Sequence, residues 1–279
     1  MNRSHPLLVA TLFLLQSLYL FSGEWTHYGG DAGNRRYSPL KEINKYNVQK
    51  LEAAWIYRTG DISDGSEIPF RSAFECTPLM LDGVLYLTTP FSRVIALDAE
   101  TGKELWTFDP ELDRKGPYNL FINRGVAAWV GENETRIFAG TLDGRLFALN
   151  SKTGRPVPGF GEQGVVDLRK GLTEKFPGQG YGVTSPPLVY RDLVITGSLV
   201  ADSRPQGPPG DIRAFNVHTG EQVWRFHTVP RPGEEGHDTW EGDSWKDRGG
   251  TNAWPGLSCD LDRGILFVPT GSPSADRFG

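Results

Sequence analysis

The chain has 279 residues, and its 34 Gly and 20 Pro exclude a bundle of long helices and favour short strands joined by tight turns. Hydrophobic residues make up 38% and charged residues 23%, too apolar for a disordered chain and enough for a substantial core. A net charge of −5 offers no basic field to a polyanion, which argues against nucleic acid as a partner.

In chain order, residues 1–23 come first. Arg3 lies near the start, an apolar run extends from Pro6 to Phe21, and small residues precede the polar sequence EWTHYGGD. This pattern predicts a secretory signal peptide. The run is broken by Gln16 and Ser17 and falls short of the roughly 20 residues that span a bilayer. The mature chain is therefore expected to be soluble and outside the cytoplasm. Export permits a disulfide, but Cys76 and Cys259 open strand-like runs in different units, so two separate buried thiols are expected.

From residue 94 onward the chain repeats itself. VIALDAETGKELWTF (94–108), LFALNSKTGRPVPGF (146–160) and IRAFNVHTGEQVWRF (212–226) share one pattern. Each is read as a strand, a Thr-Gly turn that needs positive φ at Gly, and a second strand ending in an aromatic residue. The turn glycines are Gly102, Gly154 and Gly220. Further strands are predicted at 83–89, 135–141, 193–198 and 264–271, with surface loops at 108–125, 160–182 and 227–248. Trp55, in LEAAWIYRTG, stands about one such interval before Trp106, as if closing an earlier unit. Four strands per unit at this spacing predict an all-β fold, a β-propeller of four-stranded blades, with Trp106 and Trp224 docked between neighbouring blades. A β-sandwich of similar hairpins would not repeat the Ala, Asp/Asn, Thr-Gly and Trp offsets.

These residues resemble the quinoprotein alcohol and aldose dehydrogenases, which bind pyrroloquinoline quinone (PQQ) in an eight-bladed propeller. The repeat resembles that family's tryptophan-docking motif. Three stretches sharpen the match: EWTHYGGDAGNRRYSPLKEINKYNVQKLEAAW (24–55), DTWEGDSWKDRGGTNAW (238–254) and WPGLSCDLDRGILFVPTGSP (254–273). The resemblance covers residues 24–279 and implies that these are the first half of such a propeller. With three full units and the start of a fourth, the chain is expected to be the N-terminal part of a longer enzyme. The family also implies a periplasmic location.

What the resemblance implies for individual residues follows the motifs. Glu75, in AFECTPLMLDG, matches the glutamate beside the quinone; read without it, this is a strand-edge carboxylate. Arg124, in NRGVAAW, matches the arginine reaching the quinone oxygens, where a fixed cation favours the charge of a reduced quinone. Thr184, in GVTSPPLV, matches a hydroxyl donor to a cofactor carboxylate; a turn-capping Thr would look the same. Trp254 matches the indole floor under the planar cofactor, with a core Trp as the plain alternative. For Ca²⁺, Asp202 falls at the family's first carboxylate, while Ser272 replaces the usual Asn. A Ser hydroxyl is a poorer neutral ligand than an amide oxygen. The vicinal cysteine pair of several alcohol-oxidising members is replaced by Tyr118 and Asn119. These departures, with FECTPL and TGKELWTFDP, lean toward the glucose or polyol branch.

The implied chemistry is oxidation of an alcohol, polyol or aldose by hydride transfer to the quinone, with Ca²⁺ as Lewis acid and a carboxylate as base. A cytochrome c or membrane ubiquinone would take the electrons. No residue matches the base, and nothing in the spacing of His237, Asp238, Glu241 and Asp243 makes one of them the base. The alternatives are a non-catalytic propeller scaffold of the outer-membrane assembly type, disfavoured because no Cys follows the leader, and an inactive fragment.

Overall fold

A computed structural model describes residues 23–118 and 120–275, so the predicted leader lies almost wholly outside the described residues, as does Asn119. Fourteen of the eighteen strands among the described residues fall into the repeating units that the sequence predicts, and the other four form two short pairs, Ser72–Ala73 with Phe121–Ile122 and Tyr181–Gly182 with Leu199–Val200. The first blade is β1 (Leu79–Leu81), β2 (Val84–Thr88), β3 (Val94–Asp98) and β4 (Glu104–Phe108). The second is β5 (Ala127–Val130), β6 (Thr135–Gly140), β7 (Arg145–Asn150) and β8 (Val165–Asp167). The third is β9 (Leu188–Tyr190), β10 (Leu193–Thr196), β11 (Ile212–Asn216) and β12 (Gln222–Phe226). A fourth sheet holds β13 (Ser258–Asp260) and β14 (Ile265–Phe267). Within each of these four sheets consecutive strands pair antiparallel. The only helices among the described residues are single 3₁₀ turns at Val48–Lys50 and His237–Thr239.

Both faces of a middle strand are apolar because each blade is sandwiched. On β3, Val94 and Ala96 join Leu79 and Tyr86 in a core shared with Val126, Ile137, Ala139 and Leu149 of the second blade. Ile95 and Leu97 face the other way, against Trp55 and Tyr57. The same layering recurs between the second and third blades, through Phe138, Leu146, Val194 and Phe215. Between the third and fourth it runs through Leu188, Ile195, Ala214, Leu257 and Cys259. Blades one and three also share a register shift, at Ala96/Leu97 and Ala214/Phe215, that adds twist beside the Trp-bearing strand.

The tryptophan docking is real but not uniform. Trp55 lies on Gly102, where a Cβ would come within 2.4 Å of the indole, and its Nε1 donates to the Ala99 carbonyl at 3.2 Å. Trp106 repeats this on Gly154, donating to the Ser151 carbonyl at 2.8 Å. In the second unit the corresponding position is Pro158, so there is no indole to dock. Arg136 takes over: its Nη1 donates to the carbonyls of Val217 and His218, at 3.0 and 3.1 Å, and Val217 is the equivalent of Ala99 and Ser151. Gly220 of that turn is met by the backbone of Gly161 instead.

Three sequence expectations are corrected. The second half of 146–160 is not a strand, because Pro156 and Pro158 lack the N–H a ladder needs; the outer strand is Val165–Asp167, inside a predicted loop. The 264–271 strand covers only Ile265–Phe267. The 108–125 connection is not wholly at the surface: Leu112, Tyr118 and Phe121 are buried with Phe91 and Leu142. Cys76 and Cys259 are both free thiols, as expected, with Cys259 buried and Cys76 only half-buried.

Candidate functional site

Glu75, Arg124, Thr184 and Trp254 occupy one structural position in four successive sheets, just ahead of β1, β5, β9 and β13. Hydrogen bonds stitch these leading segments together in order. The Thr77 amide donates to the Arg124 carbonyl at 3.1 Å, and the Arg124 amide to the Thr184 carbonyl at 2.9 Å. The hydroxyl of Ser185 then donates to the Trp254 carbonyl, with that of Thr184 at 3.5 Å from the same oxygen. Residues from four distant stretches of sequence thus converge where the innermost edges of the blades meet.

The side chains form a small constellation. Arg124 Nη2 pairs with Glu75 Oε2 at 3.1 Å, and the Arg124 guanidinium carbon stands 5.3 Å from the centre of the Trp254 ring. The arginine side chain is only 15% exposed, whereas Glu75 is 46% exposed and Trp254 43%. Arg124 Nη1 is buried without a hydrogen-bond partner. Leaving a charged donor unpaired is costly, so an acceptor is wanted there. An open aromatic face beside a fixed cation with a free donor suits a planar, anionic, conjugated ligand, and the residues present fit PQQ. Beside Glu75, burial pushes the Cys76 thiol up despite the bond its sulfur accepts from the Thr88 amide, so it stays a neutral thiol. Tyr118, at the first position of the replaced cysteine pair, is buried, and that burial, with Asp143 and Asp113 nearby, pushes its phenol up to about 12.

The metal candidates are less assembled. Asp202 and Ser272 are both exposed, and among the described residues no hydrogen bond or ion pair joins them. Ser272 is placed through its carbonyl, which accepts from the Thr251 amide at 2.8 Å. No group of three or more His, Cys, Asp or Glu gathers among the described residues. The chain therefore offers a hard cation one carboxylate and one hydroxyl, short of the six to eight oxygens Ca²⁺ takes. His237 is held by the Pro230 carbonyl and meets the Trp245 ring edge-on, and Asp243 pairs with Lys246 at 2.8 Å. Neither reaches the constellation through these contacts.

Sequence reasoning missed two parts of this region. One is Ser185. The other is the segment Trp25–Asn34, which lies among the innermost strands of all four sheets. Trp25 bridges Met80, the Asn34 side-chain amide donates to the Leu257 carbonyl at 2.7 Å, and the Cys259 backbone amide donates to the Ala32 carbonyl at 2.8 Å. Thr26, His27 and Tyr28 border a small cavity whose other walls are Val126–Ala128, Pro186–Val189 and Leu257. The stretch 24–55 carried the family resemblance but not this placement; within it Gly30 has φ of 90° and a Cβ there would come within 3.2 Å of the Trp25 indole.

Residues 25–279 match the family described as PQQ: Glucose/ethanol/alcohol dehydrogenase, beta-propeller domain. The chain belongs to the quinoprotein dehydrogenase family. It is 35% identical over 276 residues to quinate/shikimate dehydrogenase (quinone) of Acinetobacter baylyi, covering 91% of this chain and 33% of that protein. To quinohemoprotein alcohol dehydrogenase ADH IIB of Pseudomonas putida it is 38% identical over 265 residues, covering 90% and 34%. The crystal structure of quinohemoprotein alcohol dehydrogenase from Comamonas testosteroni superposes with a TM-score of 0.74 at 31% identity, covering 90% of this chain and 36% of that one. The chain thus spans about a third of the length of these quinoprotein relatives.

Proposed function

We propose that this chain supplies the cofactor-facing blades of a periplasmic PQQ-dependent dehydrogenase that oxidises an alcohol, polyol or aldose and passes the electrons to a cytochrome c or membrane ubiquinone. The observation that carries the reading is Arg124: it is held by Glu75, stands with its guanidinium carbon 5.3 Å from the centre of the Trp254 ring, and is left with a buried donor unpaired. Trp254 would be the floor on which the quinone stacks. Arg124 would donate to its oxygens, where a fixed cation stabilises developing negative charge without reorganisation. Glu75 keeps the guanidinium from swinging away, and Thr184 would donate to a cofactor carboxylate. PQQ, when bound, supplies the two-electron acceptor for the hydride of the carbinol carbon. Asp202 and Ser272 are the residues of this chain that would contribute to a Ca²⁺ site, completed by oxygens of the cofactor and of other residues.

The test is to titrate the intact protein with PQQ in the presence of Ca²⁺ and follow tryptophan fluorescence, then dye reduction with an alcohol, a polyol and an aldose. Saturable quenching followed by PQQ-dependent dye reduction is expected. Absence of PQQ binding would overturn the reading, and binding without turnover on any of the three would overturn its catalytic half.

A further inference from the structure

The two hydroxyls at Thr184 and Ser185 point to a division of labour. Both approach the carbonyl of Trp254, but unequally: the Ser185 hydroxyl is bonded to it, while Thr184 Oγ1 stands at 3.5 Å, the outer limit of a hydrogen bond. Both residues are buried, so neither hydroxyl has ready access to solvent. The backbone around this contact is unusually restricted. Ser185 precedes Pro186 and Pro187, and Trp254 precedes Pro255, so both main chains are confined to extended geometry by the ring that follows. One hydrogen bond between two such residues acts as a staple from the third blade to the fourth. It lands on the residue whose indole is the candidate floor.

We propose that Ser185 is a positioning residue: it holds the Trp254 carbonyl and so leaves the Thr184 hydroxyl free to donate to the bound cofactor. This rests on the quinone reading given above. Without the Ser185 hydroxyl, the Trp254 carbonyl loses its better donor. Thr184, anchored through its own carbonyl by the Arg124 amide, needs only to close its present gap to replace it. The cofactor would then lose the Thr184 donor although Thr184 is unchanged.

The test is a double-mutant cycle on PQQ affinity in the intact protein, read by quenching of tryptophan fluorescence, with thermal melting as a control. Ser185→Ala and Thr184→Val are each expected to weaken binding about tenfold, the effect of one hydrogen bond. The double variant should bind no more weakly than either single one, because both remove the same contact. Ser185→Thr restores the donor and should restore affinity; Ser185→Cys, similar in volume but a weak donor, should behave like Ser185→Ala and serves if the alanine variant folds poorly. A structural role alone would lower melting temperature without this non-additivity. Wild-type affinity in Ser185→Ala and Ser185→Cys, or losses that multiply in the double variant, would overturn the inference alone. Failure of the unmodified protein to bind PQQ would overturn the quinone reading, and this inference with it.

Discussion

Arg124 concentrates the physics of the site in one side chain. A lysine would keep the charge but not the planar fork that reaches Glu75 with one nitrogen while presenting another to a ligand. Arg124→Lys is therefore expected to weaken PQQ binding by about 10- to 100-fold, the range of one charge-assisted hydrogen bond at about 1.5–3 kcal/mol. A fluorescence titration checks it, and unchanged affinity would remove Arg124 from the site. Its type and motif were legible in NRGVAAW. Its partner was not, because Glu75 belongs to the preceding blade and only the meeting of two blades brings them to 3.1 Å.

Among the repeated elements, the Thr-Gly turns test whether blade contacts or turn geometry matter more. Gly154 has φ of 68°, and Gly83, in the Asp82-Gly83 turn between β1 and β2, has φ of 75°, so a side chain at either is strained. At Gly154 a Cβ would also come within 2.5 Å of the Trp106 ring, whereas nothing lies within 4 Å at Gly83. Gly83→Ala should cost about 1 kcal/mol from backbone strain, and Gly154→Ala at least twice as much, about 2–4 kcal/mol, once overpacking adds to it. Denaturant unfolding of the two variants decides this, and equal costs would mean the docking contact is slack. Where the repeat degenerates, Arg136 is the substitute. Arg136→Met should cost about 2–3 kcal/mol, because two carbonyls lose charge-assisted donors while the aliphatic volume is kept. No measurable loss in the same unfolding experiment would show that Gly161 and Val166 hold the turn unaided. This replacement had no sequence signal, since Arg136 sits on β6, away in sequence from the Pro158 it compensates for.

For the whole molecule, the segment Trp25–Asn34 makes stability depend on pH. Burial is the main influence on His27 and pushes its imidazole below its usual value of about 6.5, only partly opposed by the charge of Asp31. The unfolded chain then takes up a proton at higher pH than the folded one, so stability is present above about pH 6.5 and is lost as pH falls toward the lowered folded value. Melting temperature should drop as pH is lowered from neutral through this window, and His27→Gln should make that drop smaller. An identical drop in the variant would place the pH dependence elsewhere.

The sequence by itself determined the blade: its period, its strand alternation, its Thr-Gly turns and the residue types at the candidate cofactor site are local properties, each written within one blade's length of chain. The family, and with it the candidate cofactor, was legible for the same reason. What only the tertiary structure decided is everything that depends on blades meeting. That includes the pairing of Arg124 with Glu75, the Ser185 hydroxyl on the Trp254 carbonyl, Arg136 standing in for a missing indole, and the N-terminal segment among the innermost strands. These contacts join residues from different blades, as far apart as Asn34 and Leu257. No periodic pattern records them, because each is fixed by how one rigid sheet packs on the next.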